Sequence, residues 1–398
     1  MYCRPRHSWY IPAWGRSVGQ LLAFVSDVDR KPHLTIAVIA IGFIATVPLF
    51  NGRASGQSNH VRLSPEARLV AIRRAQLWTP INVSAMDLKA GPQGPGAFAP
   101  NDTVTCDYVE KRMDGRSPKF TCRLGPDDEV KIKYGKENGE VYAEVAATRL
   151  LWALGFDADR MYPVRVVCRG CPADPHANSK PKPGEVTFDP AALERQAKGQ
   201  ILEVQDNSGW AFPELDLVQE TAGGAPLAHR DALKLLAVLI QHTDNKPEQQ
   251  RLMCVPGEQV AENGEPCPHP FMMINDLGLT FGHANLYNRN SIGSANFEQW
   301  SRGKIWSDRK ACIGDLSRSH TGTLDRPRIS EAGRKFLADR LVQLTDAQLH
   351  DLFDVARFPQ RTGGGRPATV DEWVGAFKQK RDEIVNTTCP GGRIDVTH

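Results

Sequence analysis

His242-Thr243-Asp244-Asn245-Lys246-Pro247-Glu248-Gln249 stands between two apolar stretches. Before it, Arg230 to Gln241 carries Leu233, Leu236, Val238, Leu239 and Ile240, which predicts a buried helix. After it come a short strand, RLMCV, a loop bounded by Cys254 and Cys267, and a second apolar strand, FMMI. Asn275-Asp276-Leu277-Gly278 follows that second strand directly. Taken singly, an Asp with Lys two residues on is a solvated turn, and Asp-Leu-Gly at a strand end is a turn of the kind those residues favour. Their order along the chain carries more information than either piece.

Upstream, Thr103 to Tyr134 holds three strand-like runs, TVTCDYV, KFTCRL and EVKIKYG. In the third, apolar Val130 and Ile132 alternate with Lys131 and Lys133, so both lysines fall on one face. A helix is predicted from Val141 to Leu154, stopped by Gly155, with Glu144 on it and Glu140 one turn earlier. Another strand, MYPVRVVC, follows, while Pro172 to Gly199 lacks periodicity and reads as an insertion. Further on, helices are predicted at Asp346 to Ala356 and Val370 to Val385, N-capped by Thr345 and Thr369.

The run from His242 resembles the protein-kinase catalytic loop H-R-D-L-K-P-E-N, with His, Asp, Lys, Pro and Glu retained at five of eight positions. Asp276 stands where kinases carry the Asp of Asp-Phe-Gly. Glu144 to Phe156 looks like the corresponding helix of the atypical kinases: secretory-pathway kinases, CotH spore-coat kinases, HipA toxins and phosphatidylinositol kinases. That resemblance spans roughly Thr103 to Val385. It implies an α+β, two-lobed protein-kinase-like fold, with a small antiparallel-sheet N-lobe bearing one helix and a mainly helical C-lobe. It further implies Asp244 as the catalytic carboxylate, Lys246 beside the transferred phosphate, and Asp276 with Gln249 as metal ligands. Lys133, in preference to Lys131, would hold the nucleotide phosphates and pair with Glu144. ATP and Mg (or Mn) are the cofactors so implied, because phosphoryl transfer is catalysed mainly by positioning and charge.

Three departures bear on activity. Gln249 replaces the metal-binding Asn, Thr243 replaces an Arg that receives an activating phosphate, and the first hairpin turn holds only Gly115, beside Arg116 and Lys119, in place of a Gly-rich loop. The readings that follow are a phosphotransferase, with Leu279 to Cys312 lining the acceptor site, and a pseudokinase-like module that binds a nucleotide or partner without turnover.

Leu34 to Phe50, LTIAVIAIGFIATVPLF, carries no charge and reaches roughly 25 Å as a helix, the short end of a bilayer span. It predicts a transmembrane signal-anchor, or a cleaved secretory signal ending near Ala54-Ser55-Gly56. The expected organisation is a cytoplasmic segment 1–33, the anchor 34–50, a linker 51–100, an N-lobe with insertion 101–220 and a C-lobe 221–398. Eight of the nine cysteines fall into four local pairs: Cys106 with Cys122 across a hairpin centred on Met113 to Arg116, Cys168 with Cys171 in CRGC, Cys254 with Cys267, and Cys312 with Cys389. Even pairing suits an oxidising compartment, which places the body outside the cytoplasmic membrane of a single-pass membrane protein. A zinc site joining CRGC to Cys254 and Cys267 is the rival reading, but the second pair lacks zinc-ribbon spacing. The net charge of +3 and the absence of a basic cluster exclude a nucleic-acid track; the expected partners are a nucleotide and the membrane.

Overall fold

The computed structural model describes residues 60–178, 180–204, 209–282 and 293–390. Strand β1 (His60–Arg62) and helix α1 (Pro65–Arg74) come first, followed by β2 (Thr103–Val109), β3 (Lys119–Gly125) and β4 (Asp128–Tyr134). Helix α2 (Glu140–Ala153), β5 (Arg160–Arg169) and β6 (Glu185–Arg195) complete a five-stranded unit. Its strands close into a barrel in the order β2-β3-β4-β6-β5. Every pairing is antiparallel except β2 with β5, which is parallel and seals the barrel.

Alternation along β2 to β4 explains the barrel core: Val104, Cys106, Phe120, Cys122, Val130 and Ile132 all point inward. Helix α2 lies on β4, β5 and β6, and it is buried along nearly its whole length. This is why its sequence shows so little amphipathic contrast, since a helix covered on all sides needs no polar face.

The chain continues with β7 (Gln200–Glu203), α3 (Leu227–Leu239), β8 (Gln250–Cys254) and β9 (Pro270–Ile274). These strands form a second sheet in the order β1-β7-β8-β9. Then come α4 (Phe297–Arg302), β10 (Trp306–Asp308), β11 (Ile313–Gly314), α5 (Glu331–Leu341), α6 (Asp346–Val355) and α7 (Val370–Val385). Thr345 and Thr369 cap α6 and α7 by accepting the backbone N–H of Gln348 and Glu372, a reciprocal arrangement completed by those two side chains. Phe281, Trp300, Phe353, Phe358, Trp373 and Phe377 pack ring against ring between these helices. Helix α6 also touches α2, so the helical half braces the barrel half.

Asp159, at the entry to β5, ties the two sheets together. Both its carboxylate oxygens accept from Arg251 of β8 at 2.8 Å, and one also accepts the backbone N–H of Ala197 in the connection between β6 and β7. Burial pushes its carboxyl up, to about 6, against the pull of Arg251.

Several expectations need correction. The small antiparallel sheet is instead a closed barrel with one parallel pair, because β5 returns alongside β2. The stretch read as an insertion supplies β6, a central barrel strand; its Pro190 masked the strand signal, and the structure accommodates it where the register shifts opposite Val164 to Val166. Residues 60–100, read as linker, bury Leu63, Ala71, Ile72, Leu77, Val83 and Leu88 in the main core. No helix among the described residues is long and apolar enough to cross a membrane. The expected anchor, the single-pass localisation with an extracytoplasmic body and the membrane as partner therefore find no support; the run 34–50 lies outside the described residues.

All four expected cysteine pairs are disulfide-bonded. Cys122 nevertheless lies opposite Tyr108, so its bond to Cys106 runs diagonally across the hairpin and not between facing residues.

Candidate active site

Lysine 133 is the centre of the site. It sits on β4, whose inward positions fill the barrel, so that Lys131 and Lys133 project toward the outer face where α2 lies. Glu140 and Glu144 are four residues apart on α2 and hence on one helical face. The Lys133 ammonium lies 2.7 Å from Glu144, 2.8 Å from Glu140 and 3.4 Å from Asp276. Its side chain is 0% exposed. Lys131 turns instead to Glu194, directly opposite it on β6, and forms an ion pair there. The two neighbouring lysines are thus told apart by their partners: only Lys133 contacts both α2 and the Asp276 segment.

Three carboxylates around one ammonium in a dry setting do not share its charge equally. Burial would raise the Asp276 carboxyl, but Lys133 and Lys131, the Gly278 N–H it accepts and Lys119 hold it well below the usual carboxylate range. Glu144 goes the other way: burial pushes it up, to about 8, with Asp276 adding to the effect and Lys133 opposing it. Burial also works against the Lys133 ammonium, yet Asp276, Glu140 and Glu144 keep its pKa well above the usual value. Of the group, Asp276 is thus the carboxyl driven toward the anion and Glu144 the one driven toward holding its proton.

A close approach fixes the residue after Leu277. A Cβ on Gly278 would stand 2.7–2.8 Å from the Glu140 side chain, so a larger residue would push Glu140 off Lys133. Ser117, in the β2–β3 loop, donates its hydroxyl to the other oxygen of Glu140. Lys119 is drawn into the same region, where burial and the Lys133 charge lower its pKa.

The second cluster belongs to the loop after α3. Asp244 accepts the side-chain amide of Gln249 at 3.0 Å and lies 3.7 Å from Lys246. Burial raises its carboxyl, Lys246 and Gln249 oppose that, and the charges of Asp276 and Glu140 reach it and raise it further. The backbone carbonyl of Gln249 accepts from the N–H groups of Asn275 and Asp276, which docks this loop against the Asp276 turn. His242 is fully buried below it, and burial lowers its pKa to about 4.

Sequence reading missed the residue that holds this loop in shape. Asn245 is 0% exposed; its carbonyl Oδ1 accepts from Thr323 and Leu324 at 2.6 and 2.7 Å, and its amide donates to the His242 carbonyl. Only the partner segment 323–324, remote in sequence, reveals that role. Of the expected acceptor segment 279–312, residues 283–292 lie outside the described part. A cavity of about 270 Å³ lies elsewhere, lined by Thr148, Trp152, Asp159, Lys198, Met253 and Met273, and by none of the residues of the two clusters.

No family model matches this chain, and no curated protein matches it. Among solved structures it is similar to the crystal structure of a Helicobacter pylori proinflammatory kinase, CtkA. The identity is 10%, the match covers 72% of this chain and 97% of that one, and the TM-score is 0.38.

Proposed function

We propose that this chain is an ATP- and divalent-metal-dependent phosphotransferase of the atypical kinase class. The observation that carries the reading is the meeting of Lys133, Glu144 and Asp276, brought from β4, α2 and the turn after β9 onto one buried ammonium. Phosphoryl transfer needs a lysine held for the nucleotide phosphates, an anion for the metal and a carboxylate beside the acceptor hydroxyl. Lys133, Asp276 and Asp244 fill those roles, with Glu144 fixing Lys133.

The donor set suits Mg²⁺ or Mn²⁺, since Asp276 stays anionic and the Gln249 amide nitrogen is committed to Asp244, leaving its carbonyl oxygen for a hard cation. When bound, the cation would neutralise charge developing on the phosphate oxygens. Asp244 accepts the proton of the incoming hydroxyl, and burial, by raising its carboxyl, makes it a better base than an open aspartate. Lys246, one-third exposed and 3.7 Å from Asp244, supplies positive charge near the group in transit.

The binding-only reading rests on Gln249, whose longer side chain is engaged by Asp244. Incubating the chain with labelled ATP and Mg²⁺ or Mn²⁺ separates the two. Transfer of label that Asp276→Ala and Asp244→Ala both abolish supports the enzyme. Nucleotide binding without transfer supports the binder, and no nucleotide binding at all removes both.

A further inference from the structure

Two of the four disulfides meet inside the barrel. Cys106 on β2, Cys122 on β3 and Cys168 on β5 have sulfur atoms that all lie within 4.8 Å of one another, and Cys168 is bonded to Cys171. Strand register causes this convergence. Cys106 lies opposite Cys168 in the parallel β2–β5 pair, and Cys122 faces Tyr108, two residues along β2 on the same side as Cys106. All four cysteines are 2% exposed or less, and their surroundings are apolar, with Val104, Val130 and Val166 in the same core.

Across the two disulfides, the sulfur atoms of Cys122 and Cys168 are 3.7 Å apart. Four thiolates at about 2.3 Å from a zinc ion form a tetrahedron whose edge is about 3.8 Å. One edge of such a tetrahedron is therefore already set by the barrel. The Cα atoms within the two bonded pairs are 5.7 and 5.6 Å apart, which keeps the two thiols of each reduced pair within reach of one ion. CRGC turns through Gly170, whose φ of 76° is one that glycine adopts freely, and this carries Cys171 back beside Cys168.

We propose that in the reduced chain Cys106, Cys122, Cys168 and Cys171 form a tetrathiolate site for a zinc-like divalent cation, distinct from the oxygen-rich site around Asp276. Two molecules of a dithiol reductant deliver four electrons and four protons to the two disulfides, yielding four thiols and two oxidised reductants. Cation binding then displaces four protons and forms four metal–sulfur bonds. Soft thiolates select zinc over magnesium, which separates this site chemically from the nucleotide reading. The set also differs from the zinc site suggested by the sequence: Cys254 and Cys267 are bonded to each other and are not part of this cluster.

The test uses the full chain, reduced with dithiothreitol, desalted without oxygen and loaded with Zn²⁺ or Co²⁺. One ion per chain after a second desalting is expected, with thiolate-to-cobalt charge-transfer absorption. The oxidised chain should hold none, Cys106→Ser and Cys171→Ser should each lose at least about tenfold in affinity, and the double variant Cys254→Ser with Cys267→Ser should bind as the wild type does. A reduced chain that folds but retains no ion overturns the proposal, as does retention unchanged in Cys106→Ser and Cys171→Ser. If the reduced chain loses its circular-dichroism signal, Zn²⁺ added during refolding should restore it, and failure to do so counts equally against the site.

Discussion

The two charge clusters around the candidate site obey different physics. Around Lys133 the ammonium and Glu144 are fully buried, with Glu140 and Asp276 largely so, and the group is held by a strand, a helix and a turn at once. Around Asp244 they lie on one loop, and Lys246 is one-third exposed with Asp244 at 3.7 Å. A buried ion group is costly to break, because removing one member strands the others without water. A pair whose lysine reaches water is more weakly coupled to stability on that side, because solvent screens the exposed charge. The first cluster is thus the more firmly held of the two, and the second is the one that the proposed phosphotransferase would use to exchange a proton.

Replacing the buried cation probes this contrast most strongly. Lys133→Met leaves Glu140, Glu144 and Asp276 without their shared ammonium, and should cost about 3–5 kcal/mol of stability in denaturant unfolding. Lys131→Met strands the buried Glu194 and weakens the hold on Asp276 but leaves Glu140 and Glu144 with their ammonium, so it should cost less; an equal loss would mean that the two lysines are not distinguished as their partners indicate.

A pH series sharpens the same point at intermediate size. The Glu144 carboxyl rises from its usual 4.5 to about 8 on folding, so the folded chain keeps a proton that the unfolded chain has released. The stability this adds is full below about 4.5 and fades as pH rises toward about 8, with a slope of at most about 1.4 kcal/mol per pH unit. Asp276, held low, acts in the opposite sense and in a separate window: its contribution is present above its usual 3.8 and is lost only as pH falls below that. Glu144→Gln should therefore flatten the neutral limb of the variant's own stability profile, so that wild-type minus variant stability falls between about pH 4.5 and about 8, and leave the acid limb in place. A neutral limb unchanged in the variant would assign it to another group.

The smallest stability effect is expected at the loop. Lys246→Ala should shift unfolding by less than about 0.5 kcal/mol, while label transfer from ATP falls by a factor of ten or more. A large loss of stability there would erase the distinction between a holding cluster and a working one.

Much of the local structure was legible in the chain. Val130 and Ile132 alternate with Lys131 and Lys133, so the strand and the shared face of the lysines follow from period two alone. Thr345 and Thr369 announced the starts of α6 and α7 as N-caps, and the structure completes each as a capping box. Elsewhere local signals misled: Pro190 hid β6, and the Gly- and Pro-rich run before Asn101 hid the burial of Leu77 and Leu88. Those features depend on partners far along the chain, which no window of sequence contains.

Sequence by itself determined the kinds of group available: two lysines on one strand face, carboxylates one turn apart on a helix, an Asp-x-Lys-Pro loop, an Asp-Leu-Gly turn and four local cysteine pairs. Periodicity and turn chemistry are local, so they can be read without knowing the fold. Tertiary structure alone decided that Lys133 goes to Glu144 and Asp276 while Lys131 goes to Glu194, that the lysines hold the Asp276 carboxyl low, and that Cys122 and Cys168, from two different disulfides, bring their sulfurs to 3.7 Å. Those outcomes depend on distance and on exclusion of water, and both arise only when strands remote in sequence close into one barrel.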